Sequence, residues 1–212
     1  MAQHLVAAAM FLETDVVAAE AHAETAVRRA GRVPAAREAL GLVAYHQGQW
    51  ARALSEFRTA RRLSGSSHLL PYMVDCERGL GRPERALDLA ASPEARNLAT
   101  EDRVELAIVV SGVRLDLGQG DAAVVGLQVP ELTGATGHPW WARLAYAYAQ
   151  ALLATGQEAK AREWFGRAAS ADVEGQTDAE ERLGELDGVV LTDLLEGEDG
   201  DQPTTGDDGL QQ

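Results

Sequence analysis

The hydrophobic positions of the chain fall into one recurring pattern. At Gly48 a glycine is followed by Ala53 five residues on, by Phe57 four later and by Ala60 three later. Gly156, Ala161, Phe165 and Ala168 repeat it in full. Gly118, Ala123 and Leu127 repeat most of it, and Gly81 with Ala86 repeat its first half. A weaker copy has Ala19, Ala23 and Ala26 in place, with Thr14 where the glycine belongs. The anchoring alanines, Ala19, Ala53, Ala86, Ala123 and Ala161, are spaced by 34, 33, 37 and 38 residues. A period near 34 residues is that of a helix–turn–helix repeat. The two longer spacings are taken up by loop residues at 91–101 and 129–139.

Each part of the pattern has a mechanical reason. The glycine turns the chain between two helices, where a left-handed conformation or a close approach is needed. The alanine five residues later lies where the second helix crosses the first, and a larger side chain there would push them apart. Phe57, one turn further on the same face, fills the interface, and Leu40 and Gly41 mark where the first helix meets it. The pattern predicts helices near 3–12, 16–30, 34–47, 50–63, 67–80, 83–91, 101–117, 120–127, 139–155, 158–170 and 177–195. Gly31, Gly48, Gly65, Gly81, Gly118 and Gly156 stand where these should stop. Pro34, Pro83 and Pro139 stand at helix starts, with Pro71 close to one, and Ser66 and Ser67 are placed to cap the helix before His68. In the third copy Ala90 and Pro93 replace the large residue and the second alanine, so its second helix should be short. Leu183, Leu186, Val190 and Leu194 give 176–195 an apolar stripe suited to capping the end of a stack.

Composition agrees with closely packed helices. Apolar residues make up 46% of the 212, but aromatics only 5%. From Asp172 onward there are 14 acidic residues against one basic residue, Arg182, so most of the net charge of −14 sits there. The body is near neutral, which is not the profile of a nucleic-acid-binding domain. Residues 196–212 are acidic and almost without apolar side chains, which predicts a disordered tail. Eighteen of the 19 basic residues are Arg, with Lys160 the exception, which points to a GC-rich genome rather than to chemistry. The single cysteine, Cys76, excludes an internal disulfide and reads as a core residue. The apolar runs Leu5–Leu12 and Leu106–Val110 are too short to span a membrane, and no basic stretch precedes the first, so a cytoplasmic location is expected.

The strings Leu40-Gly41, Gly48, Ala53, Phe57, Ala60 and Gly156, Ala161, Phe165, Ala168 resemble the tetratricopeptide repeat family. The resemblance covers roughly residues 3–175, and the whole chain is similar to short actinobacterial proteins of that family. It implies an all-α, right-handed superhelical stack of about five helix–turn–helix repeats, near 1–33, 34–66, 67–100, 104–138 and 142–175, with a C-terminal capping helix. Relatives of that kind carry further sequence upstream, so an N-terminal segment is expected to precede this one. The family's first helices line a concave groove. Carried over, its positions are Glu38, Leu42, Tyr45 and His46 in the second copy and His68, Tyr72, Asp75 and Arg78 in the third. The fourth contributes Glu105, Ile108, Val109 and Asp116, and the fifth Arg143, Tyr146 and Gln150. Tyrosines on such a groove suit a peptide anchor, though they can equally pack between helices. The family's clamp for a chaperone C-terminal carboxylate needs Lys and Asn where this chain has Glu38, Leu42, His46, Pro71, Asp75 and Gly79, so that ligand is not expected.

Catalytic chemistry has no constellation to rest on. His4, His22, His46, His68 and His138 are scattered without carboxylate or thiol partners at ligand spacing, so no metal and no cofactor are expected. Phosphate-cradling glycine loops and nucleophile elbows are absent. Arg28, Arg29, Arg32, Arg58, Arg61 and Arg62 form a candidate basic patch, but arginines also suit the last turn of a helix, where both pairs lie. Trp140 and Trp141 open the fifth first-helix, one expected in the core and the other partly exposed. The reading is a non-catalytic scaffold that binds a protein or peptide segment of unknown identity. The alternatives are self-association through the N-terminal repeat as a homo-oligomer and, further off, RNA or ribosome binding through the Arg-rich half.

Overall fold

A computed structural model describes residues 1–188 of the chain. They form an all-α structure with no strand among the described residues. The helices are α1 (Ala2–Phe11), α2 (Val16–Ala30), α3 (Pro34–His46), α4 (Trp50–Ser64), α5 (Leu70–Gly79), α6 (Pro83–Ala90), α7 (Thr100–Asp116), α8 (Gly120–Leu127), α9 (Trp141–Ala154), α10 (Glu158–Ala171) and α11 (Ala179–Leu186). Each packs on its neighbours in sequence, and α1 also meets α3, α5 meets α7 and α7 meets α9. Contacts therefore run from one hairpin to the next, as in a helical repeat.

The same turn joins the two helices of four hairpins. Gly48, Gly81, Gly118 and Gly156 adopt φ of 67°, 69°, 69° and 74°, a region side chains disfavour. The amide of the residue after each glycine donates to a carbonyl five residues back: Gln49 to Ala44, Arg82 to Glu77, Gln119 to Arg114 and Gln157 to Leu152, at 2.8–3.0 Å. That six-to-one bond satisfies a carbonyl the helix end would leave free and aims the chain straight into the next helix.

The five anchoring alanines are all fully buried. Phe57 fills the α3–α4 interface, and Gly41 gives it room: a Cβ on Gly41 would lie 2.6 Å from the ring. Phe165 occupies the corresponding place in the last hairpin and is likewise buried.

The departures from expectation have local causes. Helix α5 begins at Leu70 rather than Ser67, and neither Ser66 nor Ser67 caps it. The Ser66 hydroxyl instead pairs with His68 Nδ1 at 2.8 Å, while Leu69, Leu70 and Pro71 bury themselves at the helix start. Helices α6 and α8 are as short as the pattern predicts, 8 residues each against 15 in α4. The segments expected as plain loops make up the difference with 3₁₀ turns, Pro93–Asn97 and Pro130–Thr133. Leu98 and Leu132 from these connections are buried, covering core that a longer helix would cover. In α11, Ala179 is buried and Leu183 and Leu186 pack on the last cluster. The expected continuation through Val190 and Leu194, and the acidic tail, lie outside the described residues.

Candidate functional site

The first helices α3, α5, α7 and α9 carry the predicted groove residues, and the structure ties most of them together in pairs across neighbouring helices. Glu38 of α3 meets His68, just ahead of α5, at 3.3 Å. The Tyr45 hydroxyl donates to Asp75 Oδ2 at 2.5 Å. Arg78 of α5 grips Asp116 of α7 with two donors, at 2.5 and 3.2 Å, and also reaches Asp75 at 3.5 Å. Glu105 of α7 accepts from Arg143 of α9 at 2.7 Å. Gln150 donates to the Tyr146 hydroxyl one turn away on α9, at 2.5 Å.

The two halves of this face differ. On the N-terminal side, Tyr45 lies edge-on to Trp50 and Tyr72, with ring centroids 5.2 and 5.3 Å apart, and Tyr72 tilts against Phe57. Leu42 packs with the same group, while His46 is exposed beside Tyr45. Burial and the bond to Asp75 drive the Tyr45 hydroxyl far above the usual tyrosine range. Burial also raises Tyr72. These tyrosines form an aromatic plug between hairpins rather than free anchors.

On the C-terminal side the face opens into a pocket of about 440 Å³. Ile108, Leu115 and Ala147 give it apolar walls, Arg78, Arg143 and Tyr146 give it a polar rim, and Gln176–Asp178 close one end. Burial, then contact with Asp178, raises the Tyr146 hydroxyl. Val109, assigned to the groove with Ile108, instead belongs to the core with Val74 and Val113, because adjacent helical residues point about 100° apart. Leu115, Gly112 and Ala147 escaped the sequence reading. Leu115 was within reach of it, lying seven residues after Ile108 on the same helical face.

A hollow of about 540 Å³ lies elsewhere, between the start of α9 and the segment after α10, and holds none of the predicted groove residues. Its cation, Arg167, sits over the Trp164 ring at 3.8 Å and over the Trp141 ring at 5.3 Å. Trp141 is buried there, while Trp140 stacks on His138 nearer the surface.

The candidate arginine patch is partly neutralised. Arg28 meets Glu24 at 3.7 Å, Arg58 meets Glu77 at 2.7 Å and Arg61 meets Glu94 at 2.6 Å. The histidines are less scattered than their spacing suggested, for His4 and His22 share a hydrogen bond at 2.9 Å between α1 and α2. Desolvation and neighbouring Arg29 hold His4 below its ordinary range. Among the described residues no group of three or more His, Cys, Asp or Glu side chains is placed to hold a metal ion. Burial pushes the Cys76 thiol up to about 12. No described helix is long and apolar enough to cross a membrane. No protein-family model matches the chain, and no curated protein matches it in sequence.

Proposed function

We propose that this chain is a non-catalytic, cytoplasmic scaffold of about five tetratricopeptide-like hairpins wound into a right-handed stack, which binds a peptide or protein segment on the face of its first helices. The observation that carries the reading is the pocket between α7 and α9. It brings Arg78, Arg143, Tyr146 and Gln150 of the expected groove onto walls formed by Ile108 and Leu115. A pocket with a few convergent polar groups over an apolar wall suits one buried anchor side chain of an extended segment, with the flanking backbone on the polar rim. The aromatic plug leaves less room on the N-terminal half, which supports an anchor site toward the C-terminal half. The ion-paired arginines favour a protein ligand over RNA, because a cation already matched to a carboxylate releases fewer counterions from a phosphate backbone.

The test is selection of a displayed peptide library against the whole chain, followed by titration of the enriched peptides. Ile108→Glu should weaken them at least tenfold, an effect of roughly 1.4 kcal/mol. Val125→Glu, at an exposed position of α8 outside the pocket, should bind as wild type. Circular dichroism checks that both variants stay helical. Failure to enrich any peptide, or equal binding by the two variants, defeats the reading.

A further inference from the structure

The hollow of about 540 Å³ between the start of α9 and the segment after α10 gathers donors that the fold leaves unused. Arg167 sits over the rings of Trp164 and Trp141, and among the described residues no carboxylate pairs with it. The ring faces answer its charge but leave its N–H groups to spare. Trp141 is 1% exposed, and its buried Nε1–H meets no protein acceptor either. A buried donor without a partner is costly, so this one calls for an explanation. The Arg167 guanidinium carbon lies 5.3 Å from the Trp141 ring centroid, which brings the two unmatched donor groups within reach of one ligand group. Pro139, Ala142, Ala171 and Val173 add apolar surface to the lining, and Val173 is 94% exposed.

We infer that this hollow binds an organic monocarboxylate, with the carboxylate held by Arg167 and the Trp141 Nε1–H and an apolar body laid against Pro139 and Val173. The unmatched groups are donors, so the ligand must bring acceptors, and a carboxylate on a guanidinium makes charge-assisted bonds. Two acidic residues also line the hollow, but the structure already uses them. Asp172 accepts from the Gln176 and Thr177 amides and the Thr177 hydroxyl at 2.7–2.8 Å, and Glu174 accepts from the Gln176 side chain at 2.6 Å. Their charge weighs against a dianion, so phosphate fits less well than a carboxylate. A cationic ligand would meet Arg167 and find a donor in Trp141. The volume suits a small molecule or the end of a peptide, which present the same chemistry here. The site stands apart from the groove reading, since neither Arg167 nor Trp141 borders the pocket between α7 and α9.

Heteronuclear NMR spectra of the whole chain, followed through the tryptophan indole N–H signals, test the proposal. The Trp141 signal is assigned by its loss in Trp141→Phe, which keeps an aromatic ring and removes the donor. The probes are 3-phenylpropionate, its neutral amide, inorganic phosphate and the peptide N-acetyl-Ala-Ala-Leu with a free carboxylate. At least one of the two carboxylates should shift the Trp141 signal saturably, with a dissociation constant at or below about 5 mM, as suits a ligand of this size. Tighter binding by the peptide or by the free acid tells which source the hollow prefers. Arg167→Gln should weaken the carboxylate at least tenfold and Trp141→Phe severalfold, with circular dichroism confirming that each variant stays helical. Ile108→Glu should bind the carboxylate as wild type does, so the failure of this site and that of the groove are told apart. The proposal is overturned if neither carboxylate shifts the signal, or if the amide or phosphate binds as tightly as the acid. Binding indifferent to Arg167→Gln overturns it too.

Discussion

Gly41→Ala and Gly126→Ala make the same chemical change inside two helices, and the structure gives them opposite signs. Alanine is the better helix former by about 1 kcal/mol, less near a helix end, so local propensity favours both substitutions. At Gly126 the added methyl meets nothing within 4 Å, and the gain stands at roughly 0.5–1 kcal/mol. At Gly41 the methyl would lie 2.6 Å from Phe57 Cε1 and 2.7 Å from Cδ1. The ring is fully buried, in a cluster with Ala44, Ala53, Ala60, Met73 and Cys76, and has nowhere to withdraw. Overpacking of this kind costs about 1–3 kcal/mol, and the close approach to a rigid ring puts this case in the upper half. The net loss is then about 1–2 kcal/mol, which lowers Tm by ~2–8 °C for a chain of this size, while Gly126→Ala raises it by ~1–4 °C. Thermal melts followed at 222 nm give the answer directly. A Gly41→Ala protein as stable as wild type, or shifts of the same sign at both glycines, would refute the reasoning that steric room at the hairpin crossing decides the effect.

Other outcomes follow from buried ionisable groups. Glu77 is buried and pairs with the more exposed Arg58 and Arg82. Arg58→Ala/Arg82→Ala strands its carboxylate and should destabilise by about 1–3 kcal/mol in urea melts, more than Glu77→Gln, which leaves only solvated cations behind. Because the folded state keeps the Tyr45 proton where the unfolded chain has lost it, its contribution is intact below about pH 10 and falls above that by ~1.4 kcal/mol per pH unit. Urea midpoints between pH 9 and 11 should therefore fall less steeply for Tyr45→Phe than for wild type. Cys76, buried and with its thiol at about 12, should resist a disulfide reagent at pH 8 until the chain is unfolded, its thiolate fraction being lower by roughly three powers of ten than that of a free thiol.

The helices were largely legible because glycine punctuation and the small–large apolar rhythm encode them locally. Gly48, Ala53 and Phe57 announce a turn, a crossing and a filled interface within ten residues. The 3₁₀ turns at Pro93–Asn97 and Pro130–Thr133 were not legible, since they follow from core that the short α6 and α8 leave uncovered, a fact of packing at a distance. The site was half legible. Position along the repeat put Tyr45 and Tyr146 on one face, but it could not show that Tyr45 is committed to Asp75 and Trp50, whereas Tyr146 borders open space. The His4–His22 contact, 18 residues apart and on different helices, leaves no periodic trace at all.

The seat of Arg78 gives the face a further property. Its guanidinium lies over Gly112 so closely that a Cβ there would stand 2.6 Å from one nitrogen, and from that seat it reaches Asp75 on its own helix and Asp116 on the next. The arm thus measures the gap between α5 and α7 at a point bordering the pocket. On the proposed reading, an anionic group in the pocket that draws Arg78 toward itself competes with Asp75 and Asp116 for the same guanidinium. Occupancy of the pocket and the tie between α5 and α7 would then share one side chain, as a latch serves both a door and its frame.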